Sequence, residues 1–469
     1  MNEFSNTKLV ALLSSLTRSE WRDFRKFLEM AISGPGGKSL ELYDVLTDYY
    51  PDFSSPDLSK QVVFDRIFKK QKYEDKKLRY AMTDLYRQAG SFLKFKALEN
   101  DSILGHQILS AELAKRGADK PYLAMYNEDA TSVVRDADFY YFRFREDFDY
   151  LNLYHPRQKR NIQNPIASVA KNLDVFFIAR KLQLLCEIVN VKNVMSVEYD
   201  FILKDQIIEI INNGAFADVP VITIYFRILM TLTESENVTH FILLKELLEV
   251  NGSLFDKNEL RDMYQYLMNY CIKKINQGDG DYVIQLFEIY KSILSNKVLF
   301  ADEYLSQWDF KNIVVIGLRA GHSDWVKQFI DDYKNDLPPE ESENAYVYNL
   351  AYYYFSIAEY RKTLALLQQV EFTDLYYQLD MRAILLKCYF EMDDQDLFFY
   401  HTAAFRMFLS RNKLISDYQY SIYKNMIKYA SKIMKLNGNK ESLNKLAVEI
   451  NEVKQIADLN WIKRKVIGE

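Results

Sequence analysis

The stretch Ser33-Gly34-Pro35-Gly36-Gly37-Lys38-Ser39 carries the ending of a phosphate-binding loop, in which backbone N–H groups and a lysine wrap nucleotide phosphates. That chemistry needs a glycine where this chain has Ile32, and a strand in front of the loop where this chain has a helical pattern. Nucleotide binding is therefore not expected. Phe139-Tyr140-Tyr141-Phe142-Arg143-Phe144 is similar to the aromatic strand on which RNA-binding sheets stack bases. It lacks the glycines of such strands, and its rings follow a helical period in which Arg143 and Asp147 are placed to pair. Packing of the rings in a core and at its rim is the expectation.

Two acidic stretches, Gly278-Asp279-Gly280-Asp281 and Asp393, Asp394 and Asp396, raise calcium. A calcium loop sets oxygens at alternate positions and closes with a bidentate Glu at the twelfth, and neither stretch supplies that set. Both fall where helices must turn. The five histidines, His106, His155, His240, His322 and His401, are scattered, and no two share a helix face. Cys186, Cys271 and Cys388 lie far apart inside apolar patterns and read as small core residues. No metal, no cofactor and no catalytic constellation follows from spacing. The basic runs Lys69-Lys70-Gln71-Lys72 with Lys76-Lys77, and residues 157–160, sit beside acids. They read as solvated faces, so nucleic acid is not an expected partner.

The elements that would position any site are helices. Fourteen glycines and nine prolines in 469 residues are too few for the turns of a sheet-rich fold. Tyrosine (35) and phenylalanine (30) are abundant, as interdigitating helix layers require. Thr17 and Glu20 form a capping box ahead of an apolar stripe of Trp21, Phe24, Phe27 and Leu28. Ser59 opens a helix over 58–68, and a long amphipathic helix from Tyr73 carries Leu78, Met82, Leu85, Ala89, Phe92 and Leu93. Further helices are expected over 102–116, 120–135 and 136–155. The polar stretch 157–164, bracketed by Pro156 and Pro165, reads as a linker. The expected division is thus an N-terminal helical domain, 1–156, and a second part, 165–469.

Beyond the linker, helices are expected over 166–190, 197–213, 219–233, 237–249, 257–276 and 281–295. From 312 to 409 one pattern then appears three times. Ile316-Gly317-x-x-Ala320 aligns with Leu350-Ala351-x-x-Tyr354 and with Leu385-Leu386-x-x-Tyr389, at offsets of 34 and 35. A period of this length marks helix pairs that bury their apolar faces by stacking in series. Capping helices are expected over 415–465, the last with Leu443, Ala447, Ile450, Val453, Ile456 and Ala457 on one face. Charge is uneven along this half. Residues 301–400 hold 8 basic and 18 acidic side chains, a net of −10, and the remainder holds 13 against 6, a net of +7. That is an acidic surface which the basic C-terminal helix or a basic partner would suit.

The three copies resemble tetratricopeptide repeats at their packing positions. The resemblance implies an all-α chain ending in an α-solenoid, with the first helix of each pair lining a concave groove. It places Lys311, Val314 and Leu318, then Tyr348, Tyr352 and Phe355, then Asp380, Ala383, Lys387 and Phe390 toward that groove. The two-lysine, two-asparagine clamp that some such proteins close on C-terminal carboxylates is absent. The stretches LLSSLTRSEWRDFRKFL, KLRYAMTDLYRQAGSFL, LDVFFIARKLQLLCEIVNV and RMFLSRNKLIS look like a set of uncharacterised, all-helical bacterial proteins, which implies architecture and no activity.

The expected function is a non-catalytic scaffold that holds a protein or peptide through Leu318, Tyr348, Tyr352, Phe355, Lys387 and Phe390. Two rivals stand beside it: a ligand-sensing regulator with nucleic-acid-binding N-terminal helices, and an enzyme with a site between the halves. Met1 to Leu16 lacks the pattern of a signal peptide, and no run of 18 apolar residues occurs, so a cytoplasmic protein without a membrane span is the expectation.

Overall fold

A computed structural model describes residues 4–31, 38–127, 134–154, 166–194, 202–301, 304–369, 374–436, 438–453 and 455–467. Their regular secondary structure is helical apart from one two-residue antiparallel pair, Phe300–Ala301 with Tyr304–Leu305. The chain divides into two compact units, Met1–Phe177 and Ile178–Glu469. The linker stretch 157–164 and the glycine-rich residues 33–37 lie outside the described residues.

The first unit holds α1 (Lys8–Leu13), α2 (Arg18–Ala31), α3 (Lys38–Thr47), α4 (Lys60–Ile67), α5 (Asp75–Asn100), α6 (Ser102–Arg116), α7 (Asp119–Asn127) and α8 (Ala137–Asp149). The capping box forms as the sequence requires: Thr17 N donates to Glu20 Oε2 at 2.8 Å and Glu20 N to Thr17 Oγ1 at 3.2 Å. It aims Trp21, Phe24 and Leu28 into the core. There Trp21 lies between the rings of Tyr43 and Tyr50, at 4.5 and 4.4 Å. The Tyr43 and Tyr50 hydroxyls donate to the carbonyls of Trp21 and Leu16. Ser59 caps α4, accepting from Val62 N. The helix expected over 120–135 does not reach that far, because 134 and 135 are not helical.

The division between the units falls inside α9 (Ile166–Val194). The second unit continues with α10 (Lys204–Asn212), α11 (Pro220–Thr233), α12 (Val238–Asn251), α13 (Lys257–Asn276), α14 (Asp281–Ser295), α15 (Gln307–Arg319), α16 (Ser323–Asp332), α17 (Ser342–Ser356) and α18 (Tyr360–Leu367). It ends with α19 (Leu375–Glu391), α20 (Gln395–Arg411), α21 (Asp417–Leu436), α22 (Lys440–Glu452) and α23 (Leu459–Ile467). Successive helices pack in pairs, α11 on α12, α13 on α14, α15 on α16, α17 on α18 and α19 on α20. First members also pack on one another, α11 on α13, α15 on α17, α17 on α19 and α19 on α21.

Gly317 permits a close approach of α15 to α16 and α14. A Cβ at that position would sit 2.5 Å from Val326 Cγ2 on α16 and 3.1 Å from Phe287 Cε2 on α14. The equivalent Ala351 and Leu386 are fully buried. The repeated position is thus the contact between the two helices of a pair, and residue size there sets how closely they lie.

The last expected helix is two helices. Val453 is extended and Asp458 is left-handed (φ +49°), and between them Ala457 N donates to Ile422 O on α21 at 3.1 Å. Leu443, Ala447 and Ile450 keep the predicted stripe on α22. Val453, Ile456 and Ala457 lie in the connection and pack in the same core. No described helix is long and apolar enough to cross a membrane.

His401 on α20 should give this unit a pH-dependent stability. Its Nε2 lies 2.8 Å from the Arg382 carbonyl, and burial holds its imidazole pKa below the ordinary 6.5. The unfolded chain therefore takes up this proton at a higher pH than the native protein does. The stabilisation is complete above about pH 6.5 and is lost as the pH falls through the lower native value. Urea midpoints should fall between pH 7.5 and 5.5, and His401→Gln should flatten that slope. An unchanged slope would mean that His401 titrates alike in both states.

Candidate functional site

The row α15, α17, α19 carries every residue that the repeat pattern places toward a groove. Leu318, Tyr352, Phe355 and Phe390 are half-buried. Tyr348 and Lys387 are not surface groups: they are 2% and 6% exposed, because each is closed in by the neighbouring helix and by charges from further along the chain.

Two ion networks, each joining a largely buried lysine to a carboxylate that keeps contact with solvent, lie beside these residues. In the first, Lys311 of α15 donates to Asp380 of α19, whose Oδ1 also accepts from the Tyr423 hydroxyl of α21 at 2.9 Å. The Lys311 ammonium lies 5.2 and 5.3 Å from the ring centroids of Tyr377 and Tyr348, so two aromatic faces replace part of its hydration. In the second, Lys387 Nζ donates to Asp458 Oδ2 at 2.7 Å and lies 4.8 Å from the Phe355 ring. Burial alone would lower the Lys387 pKa. Asp458, Tyr352 and Asp380 more than reverse this and hold it above its ordinary value, so the lysine stays charged. Burial pushes the Tyr352 and Tyr348 hydroxyls up and keeps them neutral.

The C-terminal segment closes one end of the row. Phe390 meets the Trp461 ring edge-on at 5.1 Å, Trp461 Nε1 donates to Glu391 Oε1 at 2.7 Å, and Lys465 pairs with Glu391 at 3.0 Å. The basic tail thus covers a small part of the acidic segment. Tyr423, Asp458 and Trp461 belong to the site's surroundings, and no sequence signal found them, because the period of the repeats does not extend past 409.

Elsewhere the stretches that raised chemistry serve structure. Lys38 and Ser39 stand in the first turn of α3, where Lys38 pairs with Glu41 at 2.7 Å and Ser39 is buried and donates to Asp84. The ring-rich segment is α8, and its Arg143 pairs with Glu146 at 3.2 Å rather than with Asp147. Gly278 takes φ +100° in a turn, and Asp394 caps α20 by accepting from Leu397 N. Burial pushes the Cys271 and Cys388 thiols up to about 12, which keeps them protonated and unreactive.

Two features were not legible in the sequence. Asp147 of α8 is buried and accepts from the Tyr126 hydroxyl at 3.0 Å, from Asn172 Nδ2 at 3.0 Å and from Ser168 Oγ. Beside it Glu146 pairs with His106 at 2.9 Å, and burial raises the Glu146 pKa. All of these partners come from the protein itself. The second feature is a cavity of about 560 Å³ between α12 and α14, lined by Phe241, Ile242 and Tyr282 with Glu246, Glu249, Asp279 and Asp281.

The fold and its candidate surface thus define an all-helical protein. No protein-family model, curated protein or solved structure matches the chain.

Proposed function

We propose that this protein is a non-catalytic scaffold whose second unit is an α-solenoid of tetratricopeptide-like helix pairs holding a protein or peptide along the row of first helices. The observation that carries the reading is the arrangement of that row. Leu318, Tyr352 and Phe355 keep part of their surface accessible on adjacent helices, while Tyr348, Lys311 and Lys387 stand behind them in saturated contacts. Half-exposed rings on a rigid backing give contact area at small entropic cost. The 34- and 35-residue offsets and the stacking of α15, α17 and α19 support the repeat architecture.

The experiment is affinity capture with tagged wild type, Tyr352→Ala/Phe355→Ala and Val250→Glu, the last altering an exposed residue on α12. Loss of a specific partner in the double variant and its retention by Val250→Glu are expected, with the double variant still folded below its melting temperature. A partner lost equally from both variants, or kept by both, would remove the row as the binding surface.

A further inference from the structure

The outer side of α20 carries an apolar stripe with a regular spacing. Leu397, Tyr400, Ala404, Met407 and Arg411 follow at steps of three and four, and Leu414 continues the series just past the helix end. These are seam positions, the ones a helix uses to pair with another helix. Here they face outward: Tyr400 is 77% exposed, Leu414 82%, Met407 52% and Leu397 46%. A shallow depression of about 590 Å³ lies along the C-terminal part of the stripe, between Ala404, Met407, Phe408 and Lys413. Single exposed apolar residues need no explanation, but a continuous seam of them on one helix does.

The geometry points to a second copy of this chain as the occupant, with α20 pairing antiparallel across a two-fold axis. Charge selects both the partner and the direction. The N-terminal end of the stripe is acidic, with Asp393 and Asp396 exposed, and the C-terminal end is basic, with Arg411 and Lys413 exposed. An antiparallel pair lays each acidic end against the other copy's basic end, whereas a parallel pair would set like charges together. The register follows from the spacing. With the axis between Phe405 and Arg406, Leu397 faces Leu414 of the other copy, Tyr400 faces Arg411, and Ala404 faces Met407. Each apolar position finds an apolar one, and the one charged seam residue lies over an aromatic face. Arg411 then reaches Asp396 across one helical turn.

One pair of 17-residue helices falls at the small end of specific interfaces. The dimer is accordingly weak, with a dissociation constant in the range of tens of micromolar. This inference does not depend on the inner row, since the stripe is on the opposite member of the helix pair.

Sedimentation velocity of the full chain from about 1 to about 200 µM should show a reversible rise from a 55.5 kDa monomer toward twice that mass. Tyr400→Lys, which sets a like charge against Arg411 of the other copy, and Met407→Glu replace exposed side chains and should each weaken the dimer by about 10-fold or more without altering the helical signal. Arg411→Glu alone and Asp396→Lys alone should also weaken it, and the double variant Arg411→Glu/Asp396→Lys should restore it. A wild type that stays monomeric at the top concentration would overturn the proposal. So would a dimer indifferent to Tyr400→Lys, which would place the interface elsewhere, or a charge-exchanged pair that fails to recover, which would remove the antiparallel register.

Discussion

Asp458→Ala should cost the second unit about 3 kcal/mol, while Lys387→Met, which removes the other half of the same ion pair, should cost less than about 1 kcal/mol. The asymmetry comes from where the two charges sit. The Lys387 side chain is 7% exposed and that of Asp458 is 46% exposed. Deleting the carboxylate takes the hydrogen-bonded partner from a buried ammonium and leaves it the Phe355 ring and the field of Asp380. Deleting the ammonium leaves a carboxylate that water already reaches, and the methionine fills the vacated volume with no charge to solvate. The double variant should therefore resemble Lys387→Met alone, so that the cost of losing Asp458 disappears once the lysine is gone. Denaturant unfolding followed by far-UV circular dichroism measures all three. Equal costs for the two single changes would show that Lys387 is hydrated through local opening and that the pair behaves as a surface bridge, worth about 0–1 kcal/mol.

Asp147→Ala should destabilise the first unit by about 3 kcal/mol or more, the largest effect expected of any single polar substitution there. Three donors converge on this 1% exposed carboxylate, from Tyr126 of α7 and from Ser168 and Asn172 of α9. With the acceptor removed, the half-buried Tyr126 hydroxyl and Asn172 amide lose the carboxylate that orders them, while Ser168 turns to solvent. Asp147→Asn should cost distinctly less, about 1 kcal/mol, because its amide oxygen still accepts and the hydroxyls of Tyr126 and Ser168 can turn to accept from its NH2. The same change removes a negative charge beside Glu146. Since Asp147 is among the causes that raise the Glu146 pKa, that pKa should come down in the Asn variant. NMR titration of the Glu146 carboxyl reads this directly. An unmoved Glu146 together with a small Asp147→Ala cost would mean that the cluster is open to solvent.

Most helices of this chain were legible because the signals that define them are local. The Thr17–Glu20 box, Ser59 before α4, and the apolar steps of α5 each lie within a few residues of what they determine. The misreadings share a cause. The Arg143 partner was assigned by helical spacing alone, and both Glu146 and Asp147 satisfy that spacing. Only the donors from α7 and α9 decide that Asp147 is taken and Glu146 is left for the arginine. The single helix expected at the C-terminus failed because nothing in residues 453–458 forbids helix. The chain breaks there to bond Ala457 to Ile422 and to bring Asp458 onto Lys387.

By itself the sequence determined that the chain is helical, where most of its helices begin, and that one pattern recurs with a spacing of 34 and 35 residues. Helix caps, apolar periods and turn glycines act through neighbours three or four positions away, and a reader of the chain sees both members at once. The tertiary structure alone decided which of the candidate residues meet solvent. Tyr348 and Lys387 carry the same helical signature as Tyr352 and Phe355. Tyr348 is buried in one cluster with Tyr377, Ile384 and Cys388 of α19, beside Lys311 bonded to Asp380, and Lys387 is bonded to Asp458, ion pairs made across 69 and 71 residues. Charges so far apart in the chain are brought together by packing, and no periodicity records them.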